Sequence, residues 1–427
     1  MAQSMPYAHP MKTMRHVLLA LVVLGAARPA YGIPAFARKY GLKCSACHEA
    51  VPLLNVMGRA FRDNGYRFNN GKDDAISTDP SYWPIFAWVE ENYQYNYAKS
   101  SKKTEFNDGQ VGPGFAVLGA MGSLGKNISF NVRPIYAGGG GGSNIAFDVA
   151  WIRVNRLFDT DALNVRLGQI DLDMPIATAS ERDFTVNDFV GNLRSLDYAV
   201  PGSHGFDLLG NPLGVELSGH DPGSINRYAV TFFSNSPVGS HQLFNAPSVY
   251  GRVSHLVQVP GGFLRDFEVG AFGSYATVSF GADSAVLKPQ TRYGGSLDFW
   301  LASDALPLHI EAIGFQGRDD HNIIPGATRD ALYYGGDVQV DYVPALPVEL
   351  FARYNLIRNV RQAIPGRPGS YADQDVYLFG VQHLQSLTSR FEWGWQLHYA
   401  LQYDHLLASD GTNNLQHVVW AGLILAF

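Results

Sequence analysis

The two cysteines of this 427-residue chain stand in one run, Cys44-Ser45-Ala46-Cys47-His48. Two thiols two residues apart, followed at once by an imidazole, suit one kind of chemistry. The thiols can form thioethers to the two vinyl groups on one edge of a porphyrin, and His48 can then supply a ligand to its iron. A c-type haem held in this way carries single electrons or works on oxygen and peroxide. Two plainer readings fit less well. A structural zinc site needs a second Cys/His cluster, which the chain lacks. A thioredoxin-like disulfide needs a βαβ surround, and none is readable around the motif.

The elements around the motif set where such a group would sit. Lys12 and Arg15 form a basic start, Val17 to Ala27 is almost wholly apolar, and Ala30-Tyr31-Gly32 offers small residues before a cut after Gly32. That is the pattern of a signal peptide, expected over residues 1–32, and its apolar run is too short to span a membrane as a helix. Export agrees with haem attachment, which takes place outside the cytoplasm. A segment from Ile33 to about Asp79 carries the motif. It is too short to bury a porphyrin by itself, so cover must come from the rest of the chain.

Composition narrows the remainder. Glycine (45), tyrosine (22) and phenylalanine (25) are abundant, while charged residues make up only 16% and the formal net charge is −6. Lysine and arginine are scattered rather than clustered, which gives no footing for nucleic acid. No run approaches 18 apolar residues after the signal, so no transmembrane helix is expected. From about Tyr82 onward the pattern is instead of period two. In Val348 to Leu356, the residues Val348, Leu350, Ala352, Tyr354 and Leu356 alternate with Glu349, Phe351, Arg353 and Asn355. In Phe391 to Tyr403, aromatic and aliphatic residues alternate with Glu392, Gln396, His398 and Gln402. Tyr334 to Tyr342 and Asn127 to Tyr136 behave alike. An apolar face with aromatic ends, set against a polar face with charges, is the signature of transmembrane strands.

A soluble β-sandwich would show the same alternation but gives no reason for connections to alternate short and long. Here they do. Leu124-Gly125-Lys126 and Pro344-Ala345-Leu346 are short, whereas 99–111, 172–206, 317–329, 358–372 and 405–415 are long. The expected fold is therefore all-β, an outer-membrane barrel of about sixteen antiparallel strands over residues 80–427, its apolar wall against outer-membrane lipid. A short helical c-type haem segment over 33–79 precedes it. With an even strand count and short turns on the periplasmic side, both ends of the barrel face the periplasm, the haem segment is tethered at that mouth, and Ile33 to Arg67 is expected to fold into the barrel as a plug.

The runs Pro34-Ala35-Phe36-Ala37-Arg38, Cys44 to His48, Pro52-Leu53-Leu54-Asn55 and Gly58 to Tyr66 together resemble the fused monohaem cytochrome–porins, whose best-known members are outer-membrane iron oxidases. The specific similarity covers residues 33 to 68, and beyond that only the architecture matches. The resemblance implies electron transfer across the outer membrane. An extracellular one-electron donor, foremost Fe(II), would give electrons through one covalent haem c to a periplasmic cytochrome, an Fe(II):cytochrome c oxidoreductase activity. Two alternatives stay open: a passive porin with a haem-bearing plug, and a haem peroxidase-like enzyme.

The expected haem-binding residues are Cys44, Cys47 and His48, with His48 on the iron. Met57 is the candidate sixth ligand, folded back past Pro52, which should end a helix begun at the motif; the alternative is that Met57 only packs on the ring. Arg59 is a candidate partner for a haem propionate, against the plainer reading of a basic segment (with Arg38, Lys39, Arg62 and Arg67) that meets lumen carboxylates such as Asp337, Asp341 and Glu349. Asp63-Asn64-Gly65 marks the end of a helix. Carboxylates in the long loops, Glu181, Asp183 and Asp188 in one and Asp319, Asp320 and His321 in another, could hold an incoming metal ion, or they are simply solvated. The five-glycine run Gly138 to Gly142 lacks the strand–helix context of a phosphate-binding loop.

Overall fold

A computed structural model describes residues 34–42, 46–50, 53–68, 84–100, 104–125, 127–137, 144–175, 211–234, 247–257, 259, 263–279, 287–301, 307–321, 327–345, 348–361, 373–388, 391–405 and 414–426. The expected signal peptide, Cys44, the glycine run Gly138 to Gly142 and the loop carboxylates Glu181, Asp183 and Asp188 lie outside these residues.

The chain opens with a small helical unit. Helix α1 (Pro34–Tyr40) is followed by two short paired strands, β1 (His48–Ala50) and β2 (Leu53–Leu54), and by helix α2 (Val56–Asp63). Sixteen strands follow: β3 (Ile85–Ser100), β4 (Thr104–Leu124), β5 (Ile128–Ala137), β6 (Asn144–Val154), β7 (Asn164–Gln169), β8 (Leu213–His220), β9 (Asn226–Ser234), β10 (Pro247–Val257), β11 (Leu264–Ser279), β12 (Leu287–Leu301), β13 (Leu308–Asp319), β14 (Ala331–Ala345), β15 (Val348–Arg361), β16 (Asp373–Thr388), β17 (Phe391–His405) and β18 (Asn414–Ala426). Each pairs antiparallel with its sequence neighbours, and β18 pairs antiparallel with β3, which closes the barrel. Closure leaves no open edge, so every wall strand finds its backbone partners within the chain, as a lipid environment demands. Among the described residues no helix is long and apolar enough to cross a membrane; this barrel crosses with strands.

The pleat sorts side chains as the alternation requires. On β15, Glu349, Phe351, Arg353 and Asn355 are buried in the interior while Leu350 is exposed. On β17, Gln396, His398 and Ala400 are buried, and Leu397 and Tyr399 are exposed on the outer face. Exposed Leu118, Ile152, Leu167, Phe232, Val253 and Phe379 continue the apolar exterior around the wall. A belt of exposed hydrophobics around a charged interior is the reverse of a soluble barrel and the pattern of a membrane one.

The connections fall into two classes. At one end, the turn end, are the links at 125–127, 155–163, 221–225, 258–263, 302–307, 346–347 and 389–390; at the other, the loop end, are 138–143, 170–212, 235–246, 280–286, 320–330, 362–372 and 406–413. The expected long connection over 99–111 is corrected here: β3 runs to Ser100 and β4 begins at Thr104, so most of that stretch is strand. Asn107-Asp108-Gly109 and Gly112-Pro113-Gly114 read locally as turns, but pairing with β3 overrides them, and the register shifts at Glu90/Glu91 and Gln94/Asn96 absorb the misfit. One loop also departs from the wall early. After Gln169 the chain turns inward, and Ile170, Leu172 and Met174 are almost wholly buried inside the barrel.

Candidate functional site

The helix expected to start at the motif is absent among the described residues. His48 instead opens strand β1 and pairs with Leu54 across a tight reversal. The reason is local. The backbone N–H of Asn55 donates to the Cys47 carbonyl at 2.9 Å and its side-chain amide donates to the Ala46 carbonyl at 3.0 Å. The same side chain caps α2 by accepting from the Gly58 N–H at 2.9 Å. One asparagine thus ties the motif to the start of the helix. Gly58 completes the contact: a Cβ there would lie 2.2 Å from the Cys47 carbonyl oxygen, so only glycine permits the approach.

The reversal brings the first turn of α2, which carries Met57, onto the motif. Met57 is 41% exposed, and Leu42, just before the motif in sequence, is 36% exposed. Cys47 is a free thiol of intermediate burial, and that burial pushes its pKa above the ordinary thiol value. These residues fit a covalently attached haem. The described thiol is not spent in a disulfide, the imidazole follows it directly, and Leu42 and Met57 present exposed apolar side chains near the motif. The residues that could hold the group are Cys44, Cys47 and His48, with Met57 beside them.

The helical unit lies inside the turn end of the barrel as a plug. An aromatic core holds it together: Phe36 stacks on Tyr66 at 5.2 Å between centroids and meets Phe61 edge-on at 5.0 Å, and Tyr40 meets Phe61 and Phe68 edge-on. Tyr66 in turn stacks on Trp151 of β6 at 6.2 Å, and Phe36 packs against the wall cluster of Phe86, Val117 and Met121. Gly65, in the left-handed region at φ +70°, ends the helix and lies so close to Asn155 that a Cβ would overlap its amide.

Charge fixes the plug more firmly. Asp63, at the end of α2, accepts from Arg227 of β9 at Oδ1 (3.1 Å), and its Oδ2 lies 2.8 Å from the Arg227 Nε in the same ion pair. Arg153 of β6 donates to the Asp63 carbonyl at 2.7 Å. Burial alone would raise the Asp63 pKa, but Arg227 and Arg62 outweigh it and hold the carboxyl below its usual range. The inward-turned loop joins the same network: Asp173 pairs with Arg252 at 3.1 Å and with Arg227 at 3.6 Å, and Asp171 pairs with Arg166 at 2.8 Å. Between plug, loop and wall remains a cavity of about 80 Å³, lined by Arg62, Tyr66, Leu172, Met174 and His220 among others. It has room for a few waters and none for a porphyrin.

Arg59 sits 3.8 Å from Glu268 and 3.9 Å from Asp298 on the wall. Neither carboxylate is among the Asp337, Asp341 and Glu349 named from the sequence. Sequence reasoning missed those partners, together with Arg153 and Arg227, because each lies far along the chain in an ordinary strand. At the loop end, Asp320 and His321 come together as expected with an unforeseen third residue, Asp330, while Asp319 turns into the wall. Hairpin register was the available signal: Asp319 pairs with Ala331, which places Asp330 opposite Asp320.

The chain matches no family model, and no curated protein matches it. Solved structures do resemble it. An anion-selective porin from Comamonas acidovorans superposes with a TM-score of 0.52 at 13% identity, over 80% of this chain and 99% of that one. OprB of Pseudomonas putida gives a TM-score of 0.53 at 10% identity, over 80% and 93%. At such identities the likeness is one of fold, and the fold is the porin-like outer-membrane β-barrel.

Proposed function

We propose that this protein moves single electrons across the outer membrane, from an extracellular donor, foremost Fe(II), to a periplasmic cytochrome. The observation that carries the reading is the lodging inside the barrel of the helical unit that follows and packs on the Cys47-His48 end of the motif, fastened by Asp63 to Arg227 and Arg153. Haem c attached at Cys44 and Cys47, with His48 on its iron, would supply a one-electron couple. The chain's own residues do the rest. Asn55 and Gly58 hold the motif against α2, which keeps Met57 at hand as a sixth ligand. Leu42 and Met57 offer apolar surface to a porphyrin edge. Glu268 and Asp298 occupy Arg59 and so anchor α2 to the wall. Short turns mark the periplasmic side of such barrels, so the plug stands where a periplasmic cytochrome can reach it and the polar lumen opens outward. Only a redox group placed within the wall spares the electron most of a membrane roughly 30 Å thick.

Signal-directed export to the outer membrane belongs to the same reading. The porin likeness favours a second one, passage of small solutes with the haem segment as a plain plug. Against it stand the plug and the buried 170–175 segment, which lie inside the lumen at the turn end. Liposome swelling separates the two, since an open solute path gives swelling and the conduit does not. The first test is covalent attachment. Haem staining of the purified protein should survive denaturing electrophoresis and vanish in Cys44→Ala/Cys47→Ala. Staining lost from the wild type on denaturation, or kept by the double variant, defeats the proposal.

A further inference from the structure

The cavity between plug, inward loop and wall is cationic on one side. Trp151 and Arg153 occupy successive inward positions of β6, and Arg166 of β7 stands directly opposite Arg153 in the strand register. All three residues line the cavity. Two like charges set directly opposite one another on paired strands repel, and burial strengthens the repulsion. Arg166 is neutralised, since its Nη1 donates to Asp171 at 2.8 Å and its Nη2 to Glu216 at 2.5 Å. Arg153 is not. Its Nη2 donates to the Asp63 backbone carbonyl at 2.7 Å and its Nη1 to that of Arg62 at 3.4 Å, and no carboxylate among the described residues forms an ion pair with it. A buried cation met only by neutral carbonyls is costly. The carboxylates that line the cavity are as numerous as its arginines, but they are spent on the other side. Asp63 is paired with Arg227, Asp173 with Arg252 and Arg227, and Asp171 and Glu216 with Arg166.

A second, independent feature belongs to the same three side chains. Trp151 is 5% exposed, and its indole Nε1–H finds no hydrogen-bond partner. The Nε–H groups of Arg153 and Arg166, both 9% exposed, find none either. Buried donors are nearly always satisfied, and an indole or guanidinium N–H can only donate. The indole is also held in place, with Tyr66 stacked on it and the Arg166 guanidinium 5.3 Å over its ring.

We infer that Trp151, Arg153 and Arg166 bind a small inorganic anion of halide size in this cavity, beside the end of α2. Three unused N–H donors and an uncompensated positive charge, set on two adjacent strands, suit an ion that only accepts hydrogen bonds. A water meets the donors but leaves the Arg153 charge as it was. The cavity of about 80 Å³ admits such an ion with a little water and excludes a large organic anion. Because Arg153 also bonds the last two carbonyls of α2, the anion locks the plug to the wall. The site stands independently of the electron-transfer reading.

The purified full-length protein, haem attached, is dialysed to equilibrium against radiolabelled chloride at constant ionic strength, with gluconate, too large for the cavity, as the balancing anion. The wild type should retain one chloride per chain, and bromide should displace it. Trp151→Phe keeps the stack on Tyr66 and removes one donor, whereas Arg153→Gln removes the charge. Each should weaken chloride binding roughly tenfold or more, with unheated gel mobility unchanged. Protease cleavage between α2 and β3 should slow as chloride replaces gluconate in the wild type. In Trp151→Phe the same slowing should need correspondingly more chloride. No chloride retained by the wild type, or chloride held as tightly by either variant, overturns the site and leaves the cavity to water. Chloride retained without any effect on cleavage overturns the lock.

Discussion

At the residue scale, two positions decide whether the motif keeps its shape. Gly58 lets α2 touch Cys47, and no side chain fits between them. Gly58→Ala should push the helix turn off the motif, so that the haem absorption bands shift and the midpoint potential changes while the barrel remains folded. Bands and potential identical to wild type would remove Gly58 from the account. Asp63 is the second. Its carboxyl is depressed in the folded chain relative to an unfolded value near 3.9, so its stabilising contribution is full above about pH 4 and fades as pH falls through the lower folded value. Protease protection of the plug should therefore drop in acid for the wild type, and the drop should largely disappear in Asp63→Asn, whose plug is weaker at every pH. The motif itself was plain in the sequence, because attachment chemistry requires contiguous residues. The partners of Asp63 and Arg59 were not, because an inward arginine or glutamate on a strand looks the same whether it meets solvent, a neighbouring strand or a plug.

At the scale of elements, the plug is held to the wall by a buried ion pair and an aromatic stack. Removing one partner of a buried pair leaves an uncompensated charge and costs roughly 3–5 kcal/mol. Arg227→Leu should accordingly free the plug, seen as rapid proteolysis between α2 and β3 with the barrel intact, and Asp63→Leu/Arg227→Leu should recover part of the loss. Equal protection in Arg227→Leu and wild type would show that the aromatic contacts suffice. Strand identity was legible in the sequence, since a period of two with one apolar face leaves little choice of element; β15 and β17 contain the alternating stretches Val348 to Leu356 and Phe391 to Tyr403. Two elements were not legible. The start of β4 hides behind turn-rich residues that pair only because β3 is beside them. The short strand at His48 replaces an expected helix because Asn55 bonds back across the motif.

At the scale of the whole molecule, a closed barrel with every wall strand paired should resist unfolding as a unit. The protein should migrate faster on gels before heating than after and fractionate with the outer membrane. A species of heat-independent mobility recovered from the periplasm would contradict the membrane barrel. Fold class and strand number followed from alternation and loop lengths, which are local properties. A plug over Ile33 to Arg67 was expected because that segment is too short to bury a porphyrin alone; which wall residues fasten it is not a local property and needed the structure.

The central claim is that a redox group carried by the plug exchanges electrons with the cell exterior. Intact cells producing the protein are given Fe(II) as a membrane-impermeant chelate, and the haem absorption bands are followed. The account predicts reduction in intact cells at a rate little changed by permeabilising the outer membrane, and no reduction when Cys44→Ala/Cys47→Ala replaces the wild type. Reduction seen only after the outer membrane is broken would contradict it.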